Sequence, residues 1–436
     1  MSGLNLLHSN DRQGMHAPSW YAAINPDHRE RPALAGTRDC DVAIIGGGLT
    51  GISAALHLAR AGYKTVVLEA HRAGWGASGR NGGQVGTGQR RDQDYLEARY
   101  GADTARRFWQ IAEEAKALVR DLIRDLAIDC HPIDGIIHAD HKPGYVGHSR
   151  AYAEKLQRDY GYSAIRFLDL EEIRSLVRSD RYFGGTFDSG AFHIDPLAFC
   201  LGLARGAEAE GAEIFENSEV MSVEEGDRVR LKTSRGELRA RYLLYACNGY
   251  LGHLQPQIAQ RVLPINNFVI TTRVLTAEER AAILPSDAAV ADSKFVINYF
   301  RMTHDNRLLF GGGENYGYRF PADIKAFVRK PMLEIFPQAK DIAIDHGWGG
   351  TLAVTVRRLP LFQRLAGNIL TCTGYSGQGV ALATLAGRIA GEAIGGQAER
   401  FDLMAKLDTP RFPGGTLLRY PMLVAAMTWF ALRDRL

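Results

Sequence analysis

Two hydrophobic periods divide the chain. An apolar run at 41–45 ends in glycines and predicts a short strand, residues 49–61 carry helical spacing, and 64–69 again reads as a strand. Strand, helix and strand in so short a span make a βαβ unit. Phe108, Ile111, Ala115, Leu118, Leu122 and Leu126 fall on one stripe, which predicts a packing helix over about 104–127. Strand-like runs at 242–246, 268–272, 295–300 and 307–310 predict a second sheet, the last run leading into Gly311, Gly312 and Gly313. Residues 368–373 are strand-like, and a helical stretch over 380–394 follows, closed by Gly395 and Gly396. The first 38 residues are polar with Pro18, Pro26 and Pro32, and predict an irregular arm pinned to the surface by Trp20 and Tyr21.

Composition narrows the class. A chain of 436 residues, 46% of them hydrophobic, has material for two or three domains. The net charge of +3, from 52 basic and 49 acidic residues, argues against nucleic-acid binding. Five scattered cysteines form no CxxC pair or Cys/His cluster, so neither a disulfide framework nor a metal site is expected. No apolar run follows a basic start near the N-terminus, and a cytoplasmic setting is expected. The window 422–432 around Trp429 and Phe430 is shorter than the roughly 20 residues needed to cross a bilayer, and is expected to dock on the protein or a partner. No integral membrane segment is expected, and the sequence leaves the oligomeric state open.

Gly46, Gly48 and Gly51 form GxGxxG between the first strand and its helix. Gly46 serves the tight turn, Gly48 lets the backbone approach a pyrophosphate, and Gly51 permits close packing. The helix N-terminus offers unpaired N–H groups to phosphate. Glu69 ends the second strand, where a carboxylate can accept from an adenosine ribose. These elements predict an adenine dinucleotide with an unphosphorylated 2′-hydroxyl.

A second glycine-rich stretch follows at once: Gly74, Gly76, Ala77, Ser78, Gly79, Arg80, Asn81, Gly82, Gly83 and Gln84. A nicotinamide cofactor has no need of it, whereas FAD folded across a domain does. Ser78 and nearby amides are candidates for the pyrophosphate or ribityl chain, and Arg80 and Asn81 for the isoalloxazine. A third element, Gly374, Tyr375, Ser376, Gly377, Gln378 and Gly379 before the helix opened by Val380, aims another helix N-terminus at negative charge, as reduced flavin carries.

The strings DVAIIGGGLTGISAALHLARAGYKTVVLEA, GWGASGRNGGQ, SDRYFGGTFDSGAFHIDPLAF, NYFRMTHDNRLLFGGG, GYSGQGV and AAMTWFALRDRL resemble the FAD-dependent D-amino-acid oxidase (DAO) superfamily, and within it the bacterial gamma-glutamylputrescine oxidoreductases. The resemblance implies an α/β (α+β) fold: a Rossmann-like FAD-binding domain from 39–100, 190–258 and 346–410, a mixed-sheet substrate domain from 101–189 and 259–345, and a C-terminal helix at 411–436. It adds Leu49, Thr50, Ala70, Val220, Asn248 and Gly249 to the expected FAD contacts. Gln378 and Asp195 stand where that narrower group usually has His. In related sarcosine oxidases a cysteine before the last glycine loop carries the flavin; here 345–367 has none and Cys372 lies in the strand, so FAD is expected to bind non-covalently.

The implied reaction oxidises a C–N bond. A neutral amine gives a hydride to flavin N5, the imine hydrolyses, and oxygen accepts the electrons to give hydrogen peroxide. Substrate-contact candidates are His193 in a polar turn, Tyr299 and Arg301 on one face of a strand, Trp348 and Tyr375. Arg301 is a candidate for a substrate carboxylate, with Arg357 and Arg358 as competitors, and Lys294 for oxygen activation. Cys247 and Cys372 read as buried fillers. Alternatives are a D-amino-acid or N-methyl-amino-acid dehydrogenase using a quinone or carrier, a non-catalytic or RNA-modifying flavoprotein, and an NAD-linked enzyme.

Overall fold

The computed structural model describes residues 5–25, 29–315, 317–416 and 421. The window 422–432 lies outside the described residues. Two sheets organise the chain. The first runs, in spatial order, through Leu361–Ala366, Ile369–Thr373, Gly236–Tyr245, Gly36–Ile45, Thr65–Leu68 and Glu213–Phe215. Its central strands are parallel, with Val42 beside both Tyr242 and Thr65. Parallel neighbours need crossovers, and the helix Leu49–Arg60 supplies the first, completing the βαβ unit expected from the hydrophobic pattern. A Cβ on Gly51 would stand 2.0 Å from the Gly46 carbonyl oxygen, so the helix sits against its own turn only because Gly51 has no side chain.

The second sheet runs through Ile344–Val354, Leu263–Thr272, Leu308–Asn315, Tyr299–Met302, Ala289–Asp292, Ile133–Ala139, Gly185–His193 and Gln84–Val85. One face packs Phe268, Ile270, Phe300, Met302 and Phe310 into a core with the helix Ile324–Ile335. The other face looks toward the glycine-rich loop after the first crossover. Gly185–His193 and Ile344–Val354 run through the positions 190 and 346 at which the expected domain segments change, while belonging to this one sheet.

Several local expectations change. The strand expected over 295–300 begins only at Tyr299, because the Asp292 carboxylate accepts the amides of Lys294 and Asn298 and the Asn298 side chain, folding 293–298 into a loop. Gly311, Gly312 and Gly313 do not end their strand; they continue it to Asn315. The N-terminal arm contains the helices Leu6–Ser9 and Trp20–Ile24, and Trp20 and Tyr21 are buried in the main core instead of resting on the surface. The packing helix spans Ala102–Asp125, with Phe108, Ile111, Ala115, Leu118 and Leu122 buried as its stripe requires.

Candidate active site

A cavity of about 900 Å³ opens at the carboxyl ends of the parallel strands. Gly46, Gly48, Glu69, Ala70, Gly76, Ala77, Ser78, Val220, Asn248 and Gly249 line it, together with Trp75, Tyr250 and residues 5–7 of the arm. The expected positions Leu49, Thr50, Gly51, Arg80, Asn81, Gly82, Gly83, Gln84, Gly374, Ser376, Gly377, Gln378, Gly379 and Val380 lie outside that wall. Gly46 has φ +110°, and a Cβ there would meet the Ala246 carbonyl oxygen at 2.7 Å. This turn therefore requires glycine.

Glu69 is positioned for a ribose. One carboxylate oxygen accepts the Gly47 amide at 2.6 Å and the other the His71 amide at 2.9 Å. A carboxylate has about four acceptor sites, so acceptors remain for ribose hydroxyls. Burial raises its pKa to about 7, against the lowering effect of the His71 and Gly47 amides. Ser78 Oγ accepts the Leu49 amide at 2.9 Å, which leaves its hydroxyl hydrogen to donate to a phosphate at the helix N-terminus. Cavity, ribose carboxylate and helix end fit an adenine dinucleotide.

The second glycine stretch is braced from below. Asn81 donates to the Ala77 and Ser78 carbonyls and accepts the Gly83 amide. Arg80 pairs with Asp11 at 2.7 Å, donates to the Trp75 and Gly349 carbonyls, and lies over the Trp75 ring, which stacks on His71 at 3.9 Å. Arg301 donates to the Gly82 and Ile194 carbonyls at 2.9 and 3.1 Å and is 3% exposed. Its guanidinium supports the loop and does not open toward a substrate carboxylate.

The other candidates are similarly placed. His193 ends a strand and is not in a turn; Nε2 donates to the Asp287 carbonyl at 2.8 Å, and burial with help from Arg301 lowers its pKa to about 3, so it is neutral. Tyr375 is buried with its hydroxyl 2.7 Å from Thr50 Oγ1, and Trp348 donates to the Arg80 carbonyl. Asp195 caps the helix Pro196–Ala209 through the Leu197 and Ala198 amides. Arg357 pairs with Asp408, Arg358 lies over Phe295, and Lys294 stands 4.0 Å from Glu334. Cys247 lines the nucleotide cavity with its thiol pKa pushed up to about 12 by burial, and Cys372 is buried in its strand.

Tyr299 does face the interior between the sheets. Its hydroxyl donates to Asn267 Oδ1 at 2.6 Å, and its ring lies where a Cβ on Gly82 or Gly311 would fall. Gln378 at the start of the Gly379–Ile394 helix donates to the Thr87 carbonyl at 3.3 Å, and Asn248 Oδ1 accepts from Thr373 Oγ1 and the Gly374 amide. Gln84, Gly86, Thr87, Gln378 and Tyr299 are partly exposed, and His138 is exposed. Sequence reading did not single out Trp75, Thr87 or His138. GWG in the second glycine stretch offered a signal for Trp75; a lone histidine at 138 offered none.

The model of the family described as "DAO: FAD dependent oxidoreductase" matches residues 41–393. The chain belongs to that family and is an FAD-dependent oxidoreductase. It is 41% identical to the probable oxidoreductase OrdL of Rhizobium meliloti, over 96% of this chain and 97% of that one. It is 39% identical to the gamma-glutamylputrescine oxidoreductase of Escherichia coli, over 97% of this chain and 99% of that one. The glycine oxidase of Geobacillus kaustophilus shares the fold, with a TM-score of 0.72 at 20% identity, covering 86% of this chain and 100% of that one. Among the described residues no group of three metal-ligating side chains occurs, and no helix is long and apolar enough to cross a membrane.

Proposed function

We propose that the protein oxidises the C–N bond of an amine, gamma-glutamylputrescine or a similar compound, with FAD held non-covalently. Near-complete coverage of the Escherichia coli gamma-glutamylputrescine oxidoreductase at 39% identity carries this reading. In it, an amine, oxygen and water give an aldehyde, ammonia and hydrogen peroxide. When bound, FAD would supply the two-electron acceptor.

The protein's part is placement. Glu69 would hold the ribose, Ser78 and the Leu49–Arg60 helix N-terminus would hold the pyrophosphate, and the N-terminus of the Gly379–Ile394 helix would favour negative charge on a reduced flavin. Tyr299, whose ring lies against Gly82 and Gly311, would wall the substrate side. Non-covalent attachment is supported by the buried state of Cys372 and by the place of Cys247 in the nucleotide cavity.

Anaerobic bleaching of the flavin tests the reaction, scanned across polyamines, their gamma-glutamyl conjugates, D-amino acids and N-methyl amino acids. Rapid bleaching by a gamma-glutamyl polyamine, with peroxide on admitting air, is expected. Bleaching only by amino acids, or no peroxide, would favour a dehydrogenase with another acceptor. Acid precipitation should release all the flavin.

A further inference from the structure

The second sheet carries a histidine with nothing to hold it. His138 pairs with Ala291 on the next strand, Ala291 with Tyr299, and Tyr299 with Gly311. Residues paired directly across strands share a face, so these four make one row across the sheet. Neighbouring strands lie about 4.8 Å apart, which separates His138 from Tyr299 by about 10 Å with a single methyl group between them. The Tyr299 ring leans away from Ala291, over Gly311 and Gly82. A slot with an alanine floor thus lies between an imidazole and a phenol ring.

The row faces the flavin-binding loops. Gln84 donates to the carbonyl of Val290, next to Ala291, at 2.9 Å. A Cβ on Gly86 would lie 3.3 Å from the Gln378 amide nitrogen and 3.6 Å from Ile136, which stands on the His138 face of the same strand. His138 is exposed on that face, whereas Ile136 and Ile137 before it are buried. Neither ring nitrogen has a hydrogen-bond partner among the described residues, in contrast to His57, His71 and His193.

We propose that His138 receives the substrate's amine, hydrogen-bonding the reacting nitrogen and taking the proton that an ammonium must lose before its α-carbon is oxidised. This rests on the amine reading above. The N–H bond of the ammonium breaks and an N–H bond forms on the imidazole. No electrons are exchanged in this step, and the free amine keeps the lone pair that C–N oxidation requires.

The surroundings suit that role. Desolvation by the surrounding protein holds the imidazole below its ordinary pKa, Asp188 from the adjoining strand opposes this and Arg90 from the loop after Gln84–Val85 reinforces it, so the ring is neutral near pH 7 and offers a lone pair to the amine. Asp188 is fixed by Tyr162, which donates to it at 2.5 Å, and by the Gly190 and Ala191 amides. Lys116 donates to Tyr162 and pairs with Glu113, which accepts from Thr87. An imidazolium formed at His138 meets a positioned carboxylate.

The test compares wild-type holoenzyme, His138→Gln and Ala291→Leu, using the best amine from the bleaching scan between about pH 6 and 10. His138→Gln should reduce its flavin about 100- to 1,000-fold more slowly near pH 7, the gap closing toward pH 10 where the amine is already neutral. Calorimetric binding of an amine whose α-carbon bears no hydrogen should weaken about tenfold. Ala291→Leu should raise KM about tenfold or more at normal FAD content by filling the slot. Rates within twofold of wild type at every pH, or a loss independent of pH, overturn the proposal while the amine reading stands. Failure of every amine to reduce the wild type overturns both. Should His138→Gln not retain FAD, Ala291→Leu decides, an unchanged KM refuting the slot.

Discussion

The Tyr21 hydroxyl stands 3.3 Å from Arg301 Nη2 and itself donates to the Asn81 carbonyl at 2.8 Å. One buried phenol therefore joins the N-terminal arm, the second glycine stretch and the second sheet. Arg301→Ala removes the donors to the Gly82 and Ile194 carbonyls and leaves both buried. The expected cost is about 2–5 kcal/mol, with weakened FAD retention. Melting and flavin content check this. A selective rise in KM for carboxylate-bearing amines, at full flavin content, would instead return Arg301 to the substrate site.

Glu69 gives cofactor binding a pH signature. Its pKa is raised to about 7 by burial, above its ordinary 4.5, so the carboxyl contributes stability fully below about pH 4.5 and loses that contribution as pH rises through 7. Ribose hydroxyls donate to the charged form and pull the pKa down. FAD binding near pH 7 should therefore release up to about half a proton, more at pH 6, and Glu69→Gln should abolish the release. Calorimetry in buffers of different ionisation enthalpy reads the number directly; equal release from both proteins excludes Glu69 as the source.

Buried neutral histidines predict acid lability. His193 has its pKa lowered to about 3, and His71 and His57 to about 4, in each case mainly by burial. Unfolding frees each ring to take a proton at its ordinary value of 6.5, so stability present above that pH is lost as pH falls toward the folded values. His71 ties the arm down, Nε2 donating to the Leu7 carbonyl and Nδ1 accepting the Gly14 amide. His71→Gln should flatten part of the slope between about pH 6.5 and 4 in chemical denaturation, although it lowers stability near neutrality. A slope unchanged by the substitution assigns the acid loss to other groups.

Local chemistry made the nucleotide half legible. Gly51 and Glu69 act through contacts to Gly46 and Gly47 that close within one βαβ unit, and Gly46 through its own positive φ, so the local pattern points to them. The substrate half is built by register between strands far apart in sequence. His138, Ala291 and Tyr299 come together only through pairings that no local pattern encodes. For the same reason Tyr299 and Arg301 were correctly given one face, while the partners that engage Arg301, Gly82, Ile194 and Tyr21, come from three distant segments. The loop at 293–298 hid in an apolar run because a single carboxylate, Asp292, outweighs strand propensity there.

Tyr375 and Thr50 connect the N-terminal ends of the Leu49–Arg60 and Gly379–Ile394 helices. Their hydroxyls are 2.7 Å apart and buried, one in the loop before the Gly379–Ile394 helix and the other in the first turn of the Leu49–Arg60 helix. Tyr375→Phe removes that bond without changing the ring's packing, and should cost about 1 kcal/mol. If Tyr375 only fixes the loop, substrate KM and the rate of anaerobic reduction should stay within about twofold of wild type, while the variant releases FAD more readily in mild denaturant. A phenol that touched substrate would behave differently. Its loss would raise KM with no change in melting temperature, and paired thermal and kinetic measurements on this one variant separate the two roles.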